Sequence, residues 1–215
     1  GLVRVERLSE AEIVGTADDA GLLARYFALS DERQAVVNED IRLDPGVMRI
    51  GDKYLSMHTL SDLDALPQSV ATDFRYERLS TDRSDCRLSF AAPVGLLLSC
   101  NHVYNQVIFL DDHDETLKRL EATARNMNSL AAYSRSNAIN REWIEMYLNE
   151  AHSQGLRSVR CHCNVMAWAE SEAELKRIRN DVGSQLALMG CTPHHNTVDV
   201  PVLFWAAIPG NEADF

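Results

Sequence analysis

The sequence predicts an α+β protein, a mostly antiparallel sheet packed by amphipathic helices with a ferredoxin-like flavour. Three observations predict it. Apolar residues recur at three and four in several stretches, the signature of half-buried helices. Other stretches alternate with period two or are short, β-rich and bounded by turns. The two kinds are interleaved along 215 residues, enough chain to bury a sizeable core.

The elements follow in order. Ser9-Glu10-Ala11-Glu12 is a capping box opening a helical stretch with Leu22, Leu23, Tyr26 and Phe27 on one side. Asp31 to Asp44 is polar and expected to be irregular, and Asp44-Pro45-Gly46 marks a turn. Val47 to Ile50 and Tyr54 to Met57 flank Gly51-Asp52, a two-residue hairpin with Gly first in a type II′ turn. A short helix from Ser61 must break near Pro67. Ser80 to Asp85 is a polar loop within a mixed-charge region of Asp73, Arg75, Glu77, Arg87 and their neighbours, where salt bridging is the simplest expectation.

Gly95 to Leu110 suits a long strand or a hairpin. Leu117, Leu120, Ala124, Met127 and Ala131 then define one amphipathic helix; Ile139, Trp143, Ile144, Tyr147, Leu148 and Ala151 define a second, stopped by Gly155. Trp143 and Tyr147 read as core. Ser158 to Ala169 switches to period two. Ser171-Glu172-Ala173-Glu174 opens a third long helix carrying Leu175, Ile178, Val182, Leu186 and Met189, which Gly190 ends. A polar strand from Thr192 to Val198 leads into an apolar run of strand type, Val200 to Ile208.

Composition narrows the function. With 46% apolar and 25% charged residues the chain reads as globular. Its longest apolar runs, Pro93 to Cys100 and Val200 to Pro209, are far short of the roughly 20 residues of a membrane span. Thirty-two acidic against 21 basic residues give a net charge of −11, the wrong sign for gripping phosphate backbones, so no direct nucleic-acid contact is expected. Five cysteines without framework spacing fit a reducing, cytoplasmic setting.

Two motifs invite a catalytic or metal reading. In Arg160 to Ala169, "RCHCNVMAWA", Cys161, His162 and Cys163 resemble a metal site that His194 and His195 could complete. Period two opposes it: Cys161 and Cys163 share one strand face with Val159, Val165 and Ala167 and read as small core residues, while His162 takes the other face. In "QVIFLDD", Asp111 and Asp112 imitate the Mg²⁺-binding end of a Walker B strand. That chemistry needs a phosphate loop ending in Lys-Ser or Lys-Thr. The three lysines, Lys53, Lys118 and Lys176, all stand in other contexts. Acids crowding a helix start are the simpler account of Asp111, Asp112, Asp114 and Glu115. A stand-alone metal-binding or metal-dependent enzyme using Asp111, Asp112, His113, Cys161 or Cys163 is the alternative function. No G-x-S-x-G elbow is present.

Three long segments carry a resemblance: "LSTDRSDCRLSFAAPVGLLLSCNHVYNQVIFLDD" (79–112), "INREWIEMYLNEAHSQGLRSVRCHCNVMAW" (139–168) and "RNDVGSQLALMGCTPHHNTVDVPVLFWAAIPGN" (179–211). In order and over nearly the whole chain, it resembles the TraG family of conjugative transposons, within the conjugation and type IV secretion ATPases. The resemblance implies an N-terminal or middle fragment without the motor, which would follow the Pro209-Gly210-Asn211 turn and carry ATP and Mg²⁺. On this expectation residues 1–30 form an N-terminal helical segment and 31–215 an α+β docking module. The resemblance further implies no catalytic, cofactor or metal residue of its own. It implies membrane components of a conjugative channel and the C-terminal motor as partners, a homo-oligomer at full length, and a place at the cytoplasmic face of the inner membrane.

Overall fold

The computed structural model describes residues 6–33, 40–44, 47–60, 65–67, 69–70, 73–131, 133–208 and 211. It bears out the α+β class. The chain divides into two compact units: residues 107–161 form one, and the segments on either side form the other.

The larger unit is built on a six-stranded sheet of order β1-β2-β3-β7-β6, with β8 also pairing β3. The strands are β1 (Ile41–Asp44), β2 (Val47–Ile50), β3 (Lys53–Leu60), β6 (His102–Phe109), β7 (Arg160–Ala169) and β8 (His194–Asn196). A strand thus occupies the end of the segment expected to be irregular, while the Asp44-Pro45-Gly46 turn lies partly outside the described residues. The short helix expected from Ser61 falls mostly outside them too.

The β2–β3 hairpin closes as its sequence predicts. Ile50 pairs with Lys53, Gly51 has φ +59°, and Asp52 keeps a negative φ, the pattern of a type II′ turn. Beyond it, β3 divides its edges. One edge meets β7 along its whole length, from Tyr54 opposite Ala169 to Leu60 opposite Cys163. The other edge is shared by β2, up to Leu55, and β8, from Met57 to Thr59.

Helices cover both faces of this sheet, which is wider than the four strands of a ferredoxin-like unit. On one face Leu60, Cys163, Val165, Ala167 and Ala169 pack under α6 (Glu172–Leu188) and α3 (Ala92–Leu97). The α6 stripe is the predicted one: Leu175, Ile178, Val182 and Leu186 are all buried. Ser171 caps its start by accepting from the Glu174 N–H, and Gly190 follows its end with φ +75°. On the other face Met48, Ile50, Leu55, Met57 and Met166 meet Leu29 and α7 (Val200–Ala206). Tyr26 and Phe27 of α2 (Leu22–Ala28) pack there as well. The Tyr26 hydroxyl donates to the Phe204 carbonyl at 2.6 Å. Lys53 Nζ donates to the Ala28 and Leu29 carbonyls, satisfying the end of α2. The Ser9 capping box forms as predicted, but its helix α1 (Glu10–Val14) stops at Gly15.

Two expectations are corrected. Gly95 to Leu110 is neither one strand nor a hairpin: α3 comes first and β6 only from His102. The final run, Val200 to Ile208, is helical rather than extended. Each helix has Pro in its first turn, where a fixed φ and a missing N–H cost nothing.

The smaller unit is a helical hairpin, α4 (His113–Leu130) and α5 (Arg135–Gln154). Leu117 and Ala124 of α4 and Ala151 of α5 are buried, and Gly155 ends α5 with φ +65°. Arg141 donates to the Asn128 side chain, and His152 lies 3.8 Å from Glu121, two polar links between the helices. The polar loop of the sequence forms part of a separate small hairpin, β4 (Phe74–Arg75) with β5 (Arg87–Leu88). Its charges pair as expected: Arg75 with Asp85 at 2.9 Å and Glu77 at 2.8 Å, Arg87 with Asp73 at 3.1 Å.

Candidate interaction surface

The residues singled out for chemistry do not converge. Asp112 caps α4: its side chain accepts from the Glu115 N–H at 2.9 Å, and its carbonyl accepts from the Thr116 hydroxyl. Asp111 accepts from Arg160 Nε at 2.8 Å and Nη2 at 3.1 Å, and that hydrogen bonding lowers its carboxyl pKa. The pair is exposed, and the Arg160 guanidinium also lies over the Phe109 ring. His113 is the first residue of α4. Asp112 therefore serves the start of a helix, whereas Asp111 serves an ion pair with Arg160 of β7.

Strand parity separates the cysteine–histidine motif as its spacing predicts. Of the two cysteines expected in the core only Cys163 is there, buried beneath α6; Cys161 is exposed, because at the start of β7 the strand has not yet passed under that helix. His162 points to the opposite face, with Asn164 Nδ2 donating toward its Nε2 at 3.0 Å. Burial lowers the His162 pKa. Among the described residues no three His, Cys, Asp or Glu side chains are placed to share a metal ion.

What the sequence did not reveal is a band of buried polar side chains in the middle of the sheet. Thr59 Oγ1 donates to Asn196 Oδ1 at 3.0 Å, and Asn196 Nδ2 donates to Asp199 Oδ2 at 2.7 Å. Opposite Thr59 across the β3–β7 ladder, Asn164 accepts from Asn105 Nδ2 at 2.9 Å. On the other face His58 stands against His195. The hydroxyl and amide pairs are satisfied and specify register rather than chemistry, whereas His58 Nδ1 and His195 Nε2 find no hydrogen-bond partner among the described residues. Period two hides them, because a polar residue on a strand reads as facing solvent.

An open cleft of about 1450 Å³ lies beside α2 and β6. Its cations are already engaged: Lys53 caps α2, Arg25 Nε donates to the Ala20 carbonyl, and Arg177 lies 3.6 Å from Glu174.

Two apolar stretches stand exposed on the acidic surface. In α7, Val200, Leu203 and Phe204 face the core; Val202 turns outward and is 66% exposed, while Trp205 is 47% exposed, one side of its ring packed against Phe27. Val198, in the bend just before the helix, is 91% exposed and extends this apolar surface. In α5 a second stripe, Ile139, Trp143 and Met146, lies outside the packed face, with Trp143 66% exposed. This corrects the expectation that Trp143 is core. The apolar residues of α5 fall in two phases, and only the one containing Ala151 is packed against α4.

The chain matches no family model and no curated protein.

Proposed function

We propose that this chain is a non-catalytic docking and assembly module of a conjugation ATPase, acting in DNA transfer at the cytoplasmic face of the inner membrane. The three long segments that resemble the TraG family give the reading its biological setting. The observation that carries it is the outward stripe of Val202 and Trp205, with Val198 exposed just before it, on a helix whose other side is fixed in the core. An apolar stripe on an acidic surface suits burial against another protein. On this reading the stripe receives the ATP- and Mg²⁺-dependent motor, and the channel's membrane components complete the assembly. Among the described residues no helix is long and apolar enough to cross a membrane.

The test begins with the coding sequence after Phe215. A phosphate-binding loop downstream supports the reading, and an immediate stop codon ends it. The downstream segment, expressed separately, is expected to bind the 215-residue chain in calorimetry, and Val202→Glu to abolish that heat. ATP hydrolysis by the chain alone, above a buffer blank, would refute the non-catalytic assignment.

A further inference from the structure

We infer that the exposed stripe of α5 pairs with the same stripe of a second copy of this chain, antiparallel, about a two-fold axis between Glu142 and Trp143. Along the stripe the order is Arg135, Ile139, Trp143, Met146, Glu150, all on the exposed side of the helix. An antiparallel copy centred between positions 142 and 143 places Ile139 opposite Met146 of the second copy. Each Trp143 then lies against the other copy's Glu142 stem and its own symmetry mate, and Arg135 stands opposite Glu150 at both ends. The pattern is self-complementary: basic, apolar, aromatic, apolar, acidic. That is what an isologous two-fold interface requires, and antiparallel helices with small crossing angles stay in contact over such a length.

Two further observations favour a second copy over an unrelated partner. Arg135 and Glu150 make no ion pair among the described residues, although α5 carries an Arg141–Glu145 pair elsewhere. They are also placed against the helix dipole, a base as the first residue of α5 and an acid close to its end. Local electrostatics favours the reverse arrangement, so a partner contact that rewards this one explains both residues together. The interface is small beside the roughly 800 Å² per partner of stable complexes. Each copy also carries a net charge of −11. Association is therefore reversible and concentration-dependent. This inference stands independently of the conjugative reading, since it uses α5 alone.

The test is sedimentation velocity of the 215-residue chain from micromolar to submillimolar concentration. A monomer–dimer equilibrium is expected. Arg135→Glu and Glu150→Arg should each weaken it on the order of tenfold, by opposing like charges at both ends. The double variant should restore it, because both pairs reform with their signs exchanged. Each single change improves the fit to the helix dipole, so weaker association cannot come from loss of α5; circular dichroism checks this. Trp143→Glu should leave a folded monomer. A chain that stays monomeric throughout, a dimer indifferent to the single changes, or a double variant as weak as the singles would each overturn the pairing.

Discussion

The imidazoles of His58 and His195 face each other across β3 and β8, with ring centroids 5.3 Å apart and planes inclined at 49°. His58 is 3% exposed. Burial, and after it the proximity of His195, Arg179 and His194, lowers its pKa from 6.5 to about 4. Burial and Arg179 lower that of His195 in the same direction. The pair is held neutral.

Acid sensitivity follows. Between those two pKa values the unfolded chain binds a proton that the folded chain refuses, so stability is full above pH 6.5 and falls as the pH drops toward 4. For His58 alone the loss from pH 7 to pH 5 is about 2 kcal/mol. Thermal melts of His58→Gln should show a smaller difference between these pH values than the parent. An unchanged difference would mean that His58 is not held neutral by the fold.

Thr59 tests the buried polar band. Its hydroxyl and Asn196 are both buried, so Thr59→Val leaves Asn196 Oδ1 without its donor at nearly constant volume. The expected cost is about 1–3 kcal/mol in denaturant unfolding. Thr59→Ser, which keeps the donor, should lose less than the valine variant. Because Asn196 also holds Asp199 at the start of α7, amide exchange in that helix should quicken in the valine variant.

Phe204 and Trp143 are both large aromatics on helices, with opposite roles. Phe204 is fully buried beside Tyr26 and Phe27. Phe204→Ala should cost about 3–5 kcal/mol. Trp143→Ala should change monomer stability by no more than about 0.5 kcal/mol.

The five thiols should separate in native-state alkylation followed by mass spectrometry. Cys161 is exposed and reacts first, while Cys163 and Cys191 are buried and wait for unfolding. Cys100 is slow although only partly buried, since burial, then Asp181 and Glu174, push its thiol up to about 11. Equal labelling of Cys161 and Cys163 would contradict their assignment to opposite sides of accessibility.

Much of this architecture was legible in the sequence, for reasons that differ by element. Ser9 and Ser171 announce helices because a cap satisfies orphan N–H groups within a few residues. Gly51-Asp52 announces a hairpin because its turn is equally local. The Cys161–His162–Cys163 strand was readable because parity is geometry. Failures came where the deciding interaction is remote. Pro93-Val94 and Pro201-Val202 begin short apolar runs, and such runs do not declare themselves strand or helix until their neighbours are known. Trp143 belongs to a helix with two apolar phases, and only packing against α4 selects between them. The buried pairing of Thr59, Asn164 and Asn196 is not legible, because nothing nearby in sequence shows that helices cover both faces.

The position of the α4–α5 hairpin along the chain has a kinetic meaning. β6 and β7 run antiparallel: the Trp168 N–H donates to the Asn101 carbonyl, Asn105 meets Asn164, and Phe109 meets Arg160. The whole hairpin lies between these paired strands, so their meeting would ordinarily wait on closing a long loop. Loop-closure entropy grows with the length of free chain, and helices with local contacts form quickly. Once α4 and α5 have docked, the free chain left to close is only the short stretches beside them. The insertion that separates two sheet neighbours in sequence thereby becomes the device that brings them together in time.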